Sequence, residues 1–271
     1  MNFYTQNFIK QYLQRINYCD TLEPTIKTLQ QLHLAHLYSV PFENLSIHLQ
    51  QPIELNSSSL ATKILEQHRG GFCYELNGLF SLLLTQLGFQ VILLSAEVAK
   101  EDCTFGREFG HLTLLVKDSD NWLADVGFGD SFIDPLKLEN GKEYRQLEQR
   151  YKLVNDSEYW TLYQYKEDWK PQYRFKLIPR ELANFQAGCL YNKTHPQSIF
   201  KQRLICTIAS ENGRTTLSDR KLIITQDWQR KEKIIENEAE YKQVLNNYFQ
   251  IDLNLYSQLN RKYLFDFIFS K

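Results

Sequence analysis

The stretch "RGGFCYELNGLFSLLLTQLG" (residues 69–88) places a cysteine directly after two glycines and at the head of an apolar run. Its leucines and phenylalanine recur at spacings of three and four residues, which predicts an amphipathic helix from Cys73 to Leu87. Gly88 is placed to cap the end of this helix. The sequence therefore predicts that Cys73 lies in the first turn of a long, half-buried helix.

This position favours a reactive thiol, because a cysteine attacks only as the thiolate. The partial positive charge at a helix N-terminus stabilises that anion, and Arg69 adds positive charge nearby. A small hydrophobic residue packed in the core would also explain Cys73, so a second group has to decide between the two interpretations.

The second group is a histidine at the head of an apolar strand. His111 opens "GHLTLLV" (residues 110–116), where a buried imidazole is costly unless its polar atoms are matched. The next strand contains one carboxylate, Asp125, in an apolar frame, and buried aspartates are rare unless paired. The order Cys73, His111, Asp125 predicts a catalytic triad of the kind found in papain-like enzymes.

The spacing of the two strands raises an objection to this triad. If Ser119 and Asp120 form a two-residue turn, Asp125 lies opposite Leu114, about 10 Å along the strand from His111. The triad therefore requires a longer loop, a bulge, or strands that are not neighbours.

The periodicity of the chain changes twice. Residues 1–88 show helical spacing, and residues 89–203 show short β-branched and aromatic runs typical of an antiparallel sheet or barrel. Residues 204–271 combine a hairpin signal at Asn212-Gly213 with a helix that Asn237 caps. We expect an α+β protein with boundaries near residues 88 and 203.

Composition and charge exclude several function classes. The 31 basic and 32 acidic residues leave a formal charge of −1, which argues against nucleic acid or an anionic membrane as partner. Neither a secretory h-region nor an apolar run of membrane-spanning length occurs, so we expect a cytoplasmic protein. The five scattered cysteines form no C-x-x-C pair, and His33 and His36 have no carboxylate pair nearby; we expect reduced thiols and no metal.

Four blocks together resemble the arylamine N-acetyltransferases. They occur in the order found in that family: "LHLAHLYSVPFENL" (32–45), "RGGFCYELNGLF" (69–80), "GHLTLLV" (110–116) and "WLADVGFGD" (122–130). A fifth block, "THPQSIF" (194–200), is similar to the bacterial type. The resemblance implies a helical bundle, a β-barrel and a C-terminal α/β lid, with Cys73, His111 and Asp125 as the triad.

The resemblance also implies a reaction and its substrates. An acetyl group passes from acetyl-CoA to the enzyme thiol, and then to an arylamine, hydrazine or arylhydroxylamine acceptor, in a ping-pong cycle. Three phenylalanines match the apolar acceptor pocket: Phe42, Phe128 and Phe200. Gly129 matches a position where the pantetheine arm of CoA passes close to the backbone. Glu43 and Arg69 match a buried pair that supports the site, although core packing and an ordinary ion pair explain these residues equally well.

A different acyl donor is the main alternative. The same triad serves papain-like and transglutaminase-like enzymes, whose thioester comes from a peptide or a glutamine amide, and amide synthases share the motifs. A non-catalytic CoA-binding protein is disfavoured because all three triad residue types are present. The motifs contain no acidic cluster that would hold a polyamine, so we expect a small aromatic amine or hydrazine as acceptor.

Overall fold

The computed structural model describes residues 3–227 and 229–270. Its N-terminal part is helical, with a π-helical turn at Thr62–Glu66 between the last two helices. The helices are α1 (Phe3–Arg15), α2 (Ile26–Ser39), α3 (Leu45–His48), α4 (Ser57–Ala61) and α5 (Cys73–Gln86). The leucines of α5 are buried against α1, α2 and the following sheet, so α5 is the central helix of this bundle.

An eight-stranded antiparallel sheet follows α5. Its strands are β2 (Gln90–Val98), β3 (His111–Lys117), β4 (Asn121–Ala124), β5 (Leu136–Lys137), β6 (Glu143–Gln146), β7 (Gln149–Asn155), β8 (Trp160–Lys166) and β9 (Asp168–Phe175). The order across the sheet is β5-β4-β3-β2-β9-β8-β7-β6. The connection from β5 to β6 forms a bridge to β7, between Asn140 and Leu153, and the sheet is a nearly closed barrel with its own apolar interior.

The C-terminal part is mixed α and β. It contains α6 (Gln186–Thr194), α7 (Ile199–Gln202), β10 (Ile205–Ser210), β11 (Gly213–Ser218), β12 (Lys221–Gln226), β13 (Gln229–Ile234), α8 (Glu238–Phe249) and α9 (Gln258–Phe269). Strands β10 to β13 form a second antiparallel sheet, which β1 (Phe42–Glu43) of the N-terminal part extends. This pairing attaches the C-terminal region to the helical bundle beside the residues that precede α5.

The predicted fold class is confirmed: the protein is α+β, with a helical N-terminus, an antiparallel barrel sheet and a C-terminal α/β region. No helix of the described residues combines the length and the apolar character that crossing a bilayer requires.

The turn between β3 and β4 has three residues, since Lys117 pairs with Asn121; this is the longer loop that the triad requires. The predicted turn at Asn212-Gly213 was wrong by one residue: the turn between β10 and β11 is Glu211-Asn212, because Gly213 already pairs with Ser210. Helix α2 begins at Ile26 with Thr25 as its N-cap.

Candidate active site

Cys73 is the first residue of α5, as the glycine-cysteine pattern predicted. The preceding residue, Phe72, has an extended backbone, and its N–H donates to Glu75 Oε2 at 3.2 Å, which anchors the start of the helix. The Cys73 side chain is buried and faces the barrel rather than bulk water. A thiolate here would lie at the positive end of the α5 dipole.

His111 and Asp125 form the pair that the sequence predicted. His111 Nε2 lies 2.7 Å from Asp125 Oδ2, and both side chains are buried. The three-residue turn between their strands answers the spacing objection. Because Ala124, and not Asp125, lies opposite Leu114, Asp125 follows the last paired residue of β4 and turns back toward the head of β3. Cys73 lies near enough to His111 for its charge to raise the pKa of the imidazole, so the structure brings all three residues together.

The electrostatics of this cluster favour an ion pair. Burial alone would lower the pKa of His111, but the charge of Asp125, the charge of Cys73 and hydrogen bonds to both residues raise it to about 10. Burial alone would raise the pKa of Asp125, but His111 and several hydrogen bonds hold it below its usual range. Asp125 is therefore ionised at neutral pH, and the protonated form of His111 is stabilised beside it.

Sequence analysis missed two residues that orient Asp125. Tyr173 of β9 donates its hydroxyl to Asp125 Oδ2 at 2.9 Å, and Asn77 Nδ2 donates to Asp125 Oδ1 at 2.8 Å. The Gly127 N–H is a third donor to the carboxylate and bonds to Oδ1 at 3.0 Å. With the bond from His111, the carboxylate has four donors and a fixed orientation.

Asn77 also connects the triad loop to the catalytic helix. Its Oδ1 accepts from the Val126 N–H at 2.9 Å. Gly127 lies against the same turn of α5, where a Cβ would come within 2.7 Å of both Cys73 Cα and Asn77 Nδ2. Only a residue without a side chain allows the loop to approach the nucleophile this closely.

The three phenylalanines predicted to line the acceptor pocket lie around the triad in two groups. Phe42 and Phe200 pack with ring centroids 6.0 Å apart, and Phe128 packs edge-on against His111 at 5.1 Å. Gly129 joins the groups: it has a φ of +93°, and a Cβ there would lie 3.6 Å from the Phe42 ring. Phe128 is therefore in contact with His111, and Phe42 lies against the neighbouring Gly129.

Glu43 and Arg69 form a buried pair on the other side of the first turn of α5. Arg69 Nε donates to Glu43 Oε1 at 2.9 Å, and Nη2 donates to Oε2 at 3.0 Å. Burial opposes both charges, but their mutual attraction keeps the pKa of Glu43 below and that of Arg69 above its usual range. Arg69 Nη1 also donates to the Tyr256 hydroxyl of the C-terminal region. Lys63 adds a contact to Glu75 Oε1 at 2.7 Å, so this cluster contains two charges of each sign.

Comparison with known proteins identifies the family. The arylamine N-acetyltransferase / N-hydroxyarylamine O-acetyltransferase of Salmonella typhimurium is 33% identical over 218 residues, which are 79% of this chain and 77% of that protein. A family model described as N-acetyltransferase matches residues 25–258. The chain belongs to the arylamine N-acetyltransferase family. It is therefore an enzyme with the transferase chemistry of that family.

Solved structures of arylamine N-acetyltransferases share the fold. The Salmonella typhimurium enzyme superimposes with a TM-score of 0.91 at 27% identity, covering 97% of this chain and 98% of that one. The Mycobacterium marinum enzyme in complex with CoA gives a TM-score of 0.87 at 30% identity, covering 96% and 98%. Among residues 3–227 and 229–270 the structure has no group of three or more histidine, cysteine or acidic side chains that could hold a metal ion.

Proposed function

We propose that this enzyme transfers an acetyl group from acetyl-CoA to a small aromatic amine, hydrazine or arylhydroxylamine through a thioester on Cys73. The observation that carries the proposal is the buried, hydrogen-bonded pair of His111 and Asp125 beside a cysteine at a helix N-terminus. Such an arrangement supplies a nucleophile, a proton carrier and an orienting carboxylate.

In the first half-reaction, the Cys73 thiolate attacks the carbonyl carbon of acetyl-CoA. The bond between that carbon and the CoA sulfur breaks, and the His111 imidazolium gives its proton to the departing CoA thiolate. Asp125 keeps its charge throughout and holds His111 in position. The products are an acetyl thioester on Cys73 and free CoA.

In the second half-reaction, His111 acts as a base. Two of the causes that raise its pKa, the charge of Cys73 and the hydrogen bond to Cys73, are lost once the thiol is acetylated, whereas burial continues to oppose the imidazolium. The pKa of His111 therefore falls, and the neutral ring can take a proton from the attacking nitrogen. The amide forms as Cys73 leaves as a thiolate, which restores the ion pair.

We place the coenzyme along the cleft that begins at Gly129. Arg214 Nη1 donates to the Gly129 carbonyl at 2.7 Å, and its Nε lies 3.0 Å from Asp130 Oδ1. Asp130 and Arg214 border a cavity of about 280 Å³ between the barrel and the C-terminal sheet, and Arg230 lines it as well. Because Gly129 has no side chain, the pantetheine arm can pass close to its backbone. The guanidinium groups of Arg214 and Arg230 can bind the phosphates of CoA.

We place the acceptor ring against Phe42, Phe128 and Phe200, with its nitrogen toward Cys73. An apolar site favours an amine that arrives neutral, so weakly basic anilines and hydrazides should react better than alkylamines, which are protonated at pH 7.

Five free cysteines, of which Cys73 must stay reduced, favour a reducing compartment such as the cytoplasm.

Intact mass spectrometry tests the acyl donor and the nucleophile together. The protein is mixed with acetyl-CoA in the absence of an acceptor, and the expected product has gained one acetyl group, which peptide mapping assigns to Cys73. Cys103 provides the control, because it is an exposed free cysteine. A protein that stays unmodified, or that is acetylated elsewhere, would contradict the proposed donor or the proposed nucleophile.

A panel of acceptors tests the aromatic site. We expect an aniline and an aromatic hydrazide to give higher kcat/KM than an aliphatic amine or spermidine. The proposed pocket would be wrong if spermidine or lysine were the best acceptor.

A further inference from the structure

The segment from Asp125 to Ile133 follows β4 and carries the triad carboxylate, Phe128 and Gly129. One side chain of helix α2, His33, holds both ends of this segment. The Asp125 N–H donates to His33 Nε2 at 3.1 Å, and His33 Nδ1 donates to the Ile133 carbonyl at 2.7 Å. His33 therefore closes residues 125–133 into a loop of fixed span.

These two bonds fix the protonation state of His33. A carbonyl oxygen can only accept, so Nδ1 must have the proton; a backbone N–H can only donate, so Nε2 must offer its lone pair. The imidazole is thus neutral and has a single tautomer. Burial lowers the pKa of His33 to about 4 even though the hydrogen bond to Ile133 and the charge of Asp125 act in the opposite direction.

The ring of His33 is also held in place from its sides. It stacks on Phe132, within the loop, with centroids 5.8 Å apart and planes 8° from parallel. Phe80 of the catalytic helix meets it edge-on at 6.1 Å. The side chain is fully buried, so it contacts the loop, α2 and α5 at the same time.

We propose that His33 is a positioning residue, which sets the backbone of Asp125 and thereby aims the carboxylate at His111. This inference rests on the triad of the proposed function. Asn77 and Tyr173 orient the carboxylate group, whereas His33 fixes the main chain from which that group projects. Its loss should therefore weaken the ion pair of His111 and Cys73 without removing any group that touches substrate.

Three variants and one control separate positioning from ordinary core packing. His33→Phe removes both hydrogen bonds and keeps an aromatic ring. His33→Gln can place an acceptor near the Asp125 N–H, and His33→Asn can place a donor near the Ile133 carbonyl. The control is His36→Phe, because His36 lies one turn further along α2, is equally buried, and contacts Tyr12 and Phe80.

The main measurement is the rate at which iodoacetamide alkylates Cys73 across pH 5.5–9.5, normalised to the folded fraction. We expect both phenylalanine variants to lower the melting temperature. Only His33→Phe should slow alkylation at pH 7, by roughly tenfold to a hundredfold, and shift the profile toward that of a free thiol near about pH 8.5. In turnover, His33→Phe should lower kcat with little change in KM, and His33→Gln should recover more activity than His33→Asn.

The proposal would be overturned if His33→Phe matched His36→Phe in alkylation rate and pH profile. If His33→Phe does not fold, the other two variants decide, because equal alkylation rates for His33→Gln and His33→Asn would overturn it as well. Alkylation requires no acyl donor, so a failure of acetyl transfer leaves this test intact. A parent enzyme that alkylates like a free thiol would instead overturn the triad, and the proposal with it.

Discussion

Two buried charged clusters lie on opposite sides of the first turn of α5, and they differ in what their charges can do. In the first, Glu43 and Arg69 form two hydrogen bonds with each other, and each charge faces an opposite one. In the second, His111 lies between Asp125 and a cysteine whose charge appears only when the thiol is ionised. We call the first cluster closed, because each of its charges is matched by another charge of the protein. We call the second cluster open, because the Cys73 thiolate could still react with a substrate.

The comparison indicates why burial of charge supports structure in one place and chemistry in the other. A fully matched pair such as Glu43 and Arg69 has no remaining capacity to react, and breaking it leaves an unpaired buried charge. Asp125 is equally well matched, with four donors, but in the proposed cycle it holds a histidine that changes its protonation. In this second cluster the Asp125 carboxylate is thus fixed by its hydrogen bonds, whereas the Cys73 thiol is available to react.

The largest effect should come from removing the open member. Cys73→Ala should reduce acetyl transfer by roughly four orders of magnitude or more while the melting curve stays close to that of the parent, because the covalent carrier is lost and the core is not. Steady-state turnover and circular dichroism measure the two quantities. Cys103→Ala is the matched control and should behave like the parent. Substantial turnover by Cys73→Ala would mean that the cluster with Cys73 does not carry the reaction.

Replacing the carboxylate should have the next largest effect. Asp125→Asn keeps the shape but removes the charge that supports the His111 imidazolium, so kcat/KM should fall by roughly two to four orders of magnitude. Iodoacetamide should also alkylate Cys73 more slowly near neutral pH. Asp120→Asn, at the other end of β4, should change neither value. An unchanged alkylation profile in Asp125→Asn would mean that Asp125 is structural, like Glu43.

The closed cluster should respond in stability rather than in chemistry. Arg69→Met leaves Glu43 buried without its partner, which should cost about 3–5 kcal/mol in the free energy of unfolding. Turnover per folded molecule should fall by less than about tenfold, because no triad atom is lost. Urea unfolding and active-site titration measure the two effects. The exposed Arg145→Met should be nearly neutral. A loss of Cys73 alkylation in folded Arg69→Met would show that the clusters act as one.

The smallest effect is a difference in pH dependence. The raised pKa of His111 means that its contribution to stability is complete below its unfolded pKa of about 6.5 and is lost as the pH rises through about 10. The stability difference between the parent and His111→Asn should therefore narrow between pH 7 and 11, by a few kcal/mol at most. The difference between the parent and Arg69→Met should stay constant, since Arg69 remains charged over this range. Chemical denaturation at each pH tests both statements.

Much of the triad could be predicted because its signals are local. A cysteine behind two glycines and before an apolar run indicates a helix N-terminus, and Cys73 is indeed the first residue of α5. A histidine and an aspartate in apolar strands indicate partners, and His111 and Asp125 lie 2.7 Å apart. Each of these inferences needed only the cost of burying a polar group.

The residues that the sequence did not reveal act over long separations. Tyr173 donates to Asp125 from the barrel interior. The alternation of inward and outward residues in β9 does not distinguish a tyrosine that binds Asp125 from one that only packs in the core. Asn77 could have been predicted to lie near the site, since it is a polar residue on the apolar face of α5, four residues after Cys73. His33 could not be assigned its role from the sequence, because its partners depend on how α2 packs against a loop about 100 residues away.

Two kinds of detail depended on tertiary context. The length of the turn after β3 decides the position of Asp125, and the sequence left open a two-residue turn or a longer loop; three residues, 118–120, connect the strands. The orientation of the C-terminal end of α8 likewise depends on packing, which leaves Tyr248 41% exposed and buries Phe249. The division of the chain near residues 88 and 203, and the roles given to Phe42 and Gly129, stay predictions.

The contact of Gly127 with the catalytic helix has a consequence for protein engineering. The distance between nucleophile and carboxylate is set at a position that performs no chemistry, since even a methyl group there would meet Cys73 Cα at 2.7 Å. A mutant library that aims to broaden the range of acceptors should therefore keep residue 127 constant and randomise Phe128, which is partly exposed beside it. Diversity at 127 would push the helix and the loop apart and yield inactive clones whatever pocket they carried.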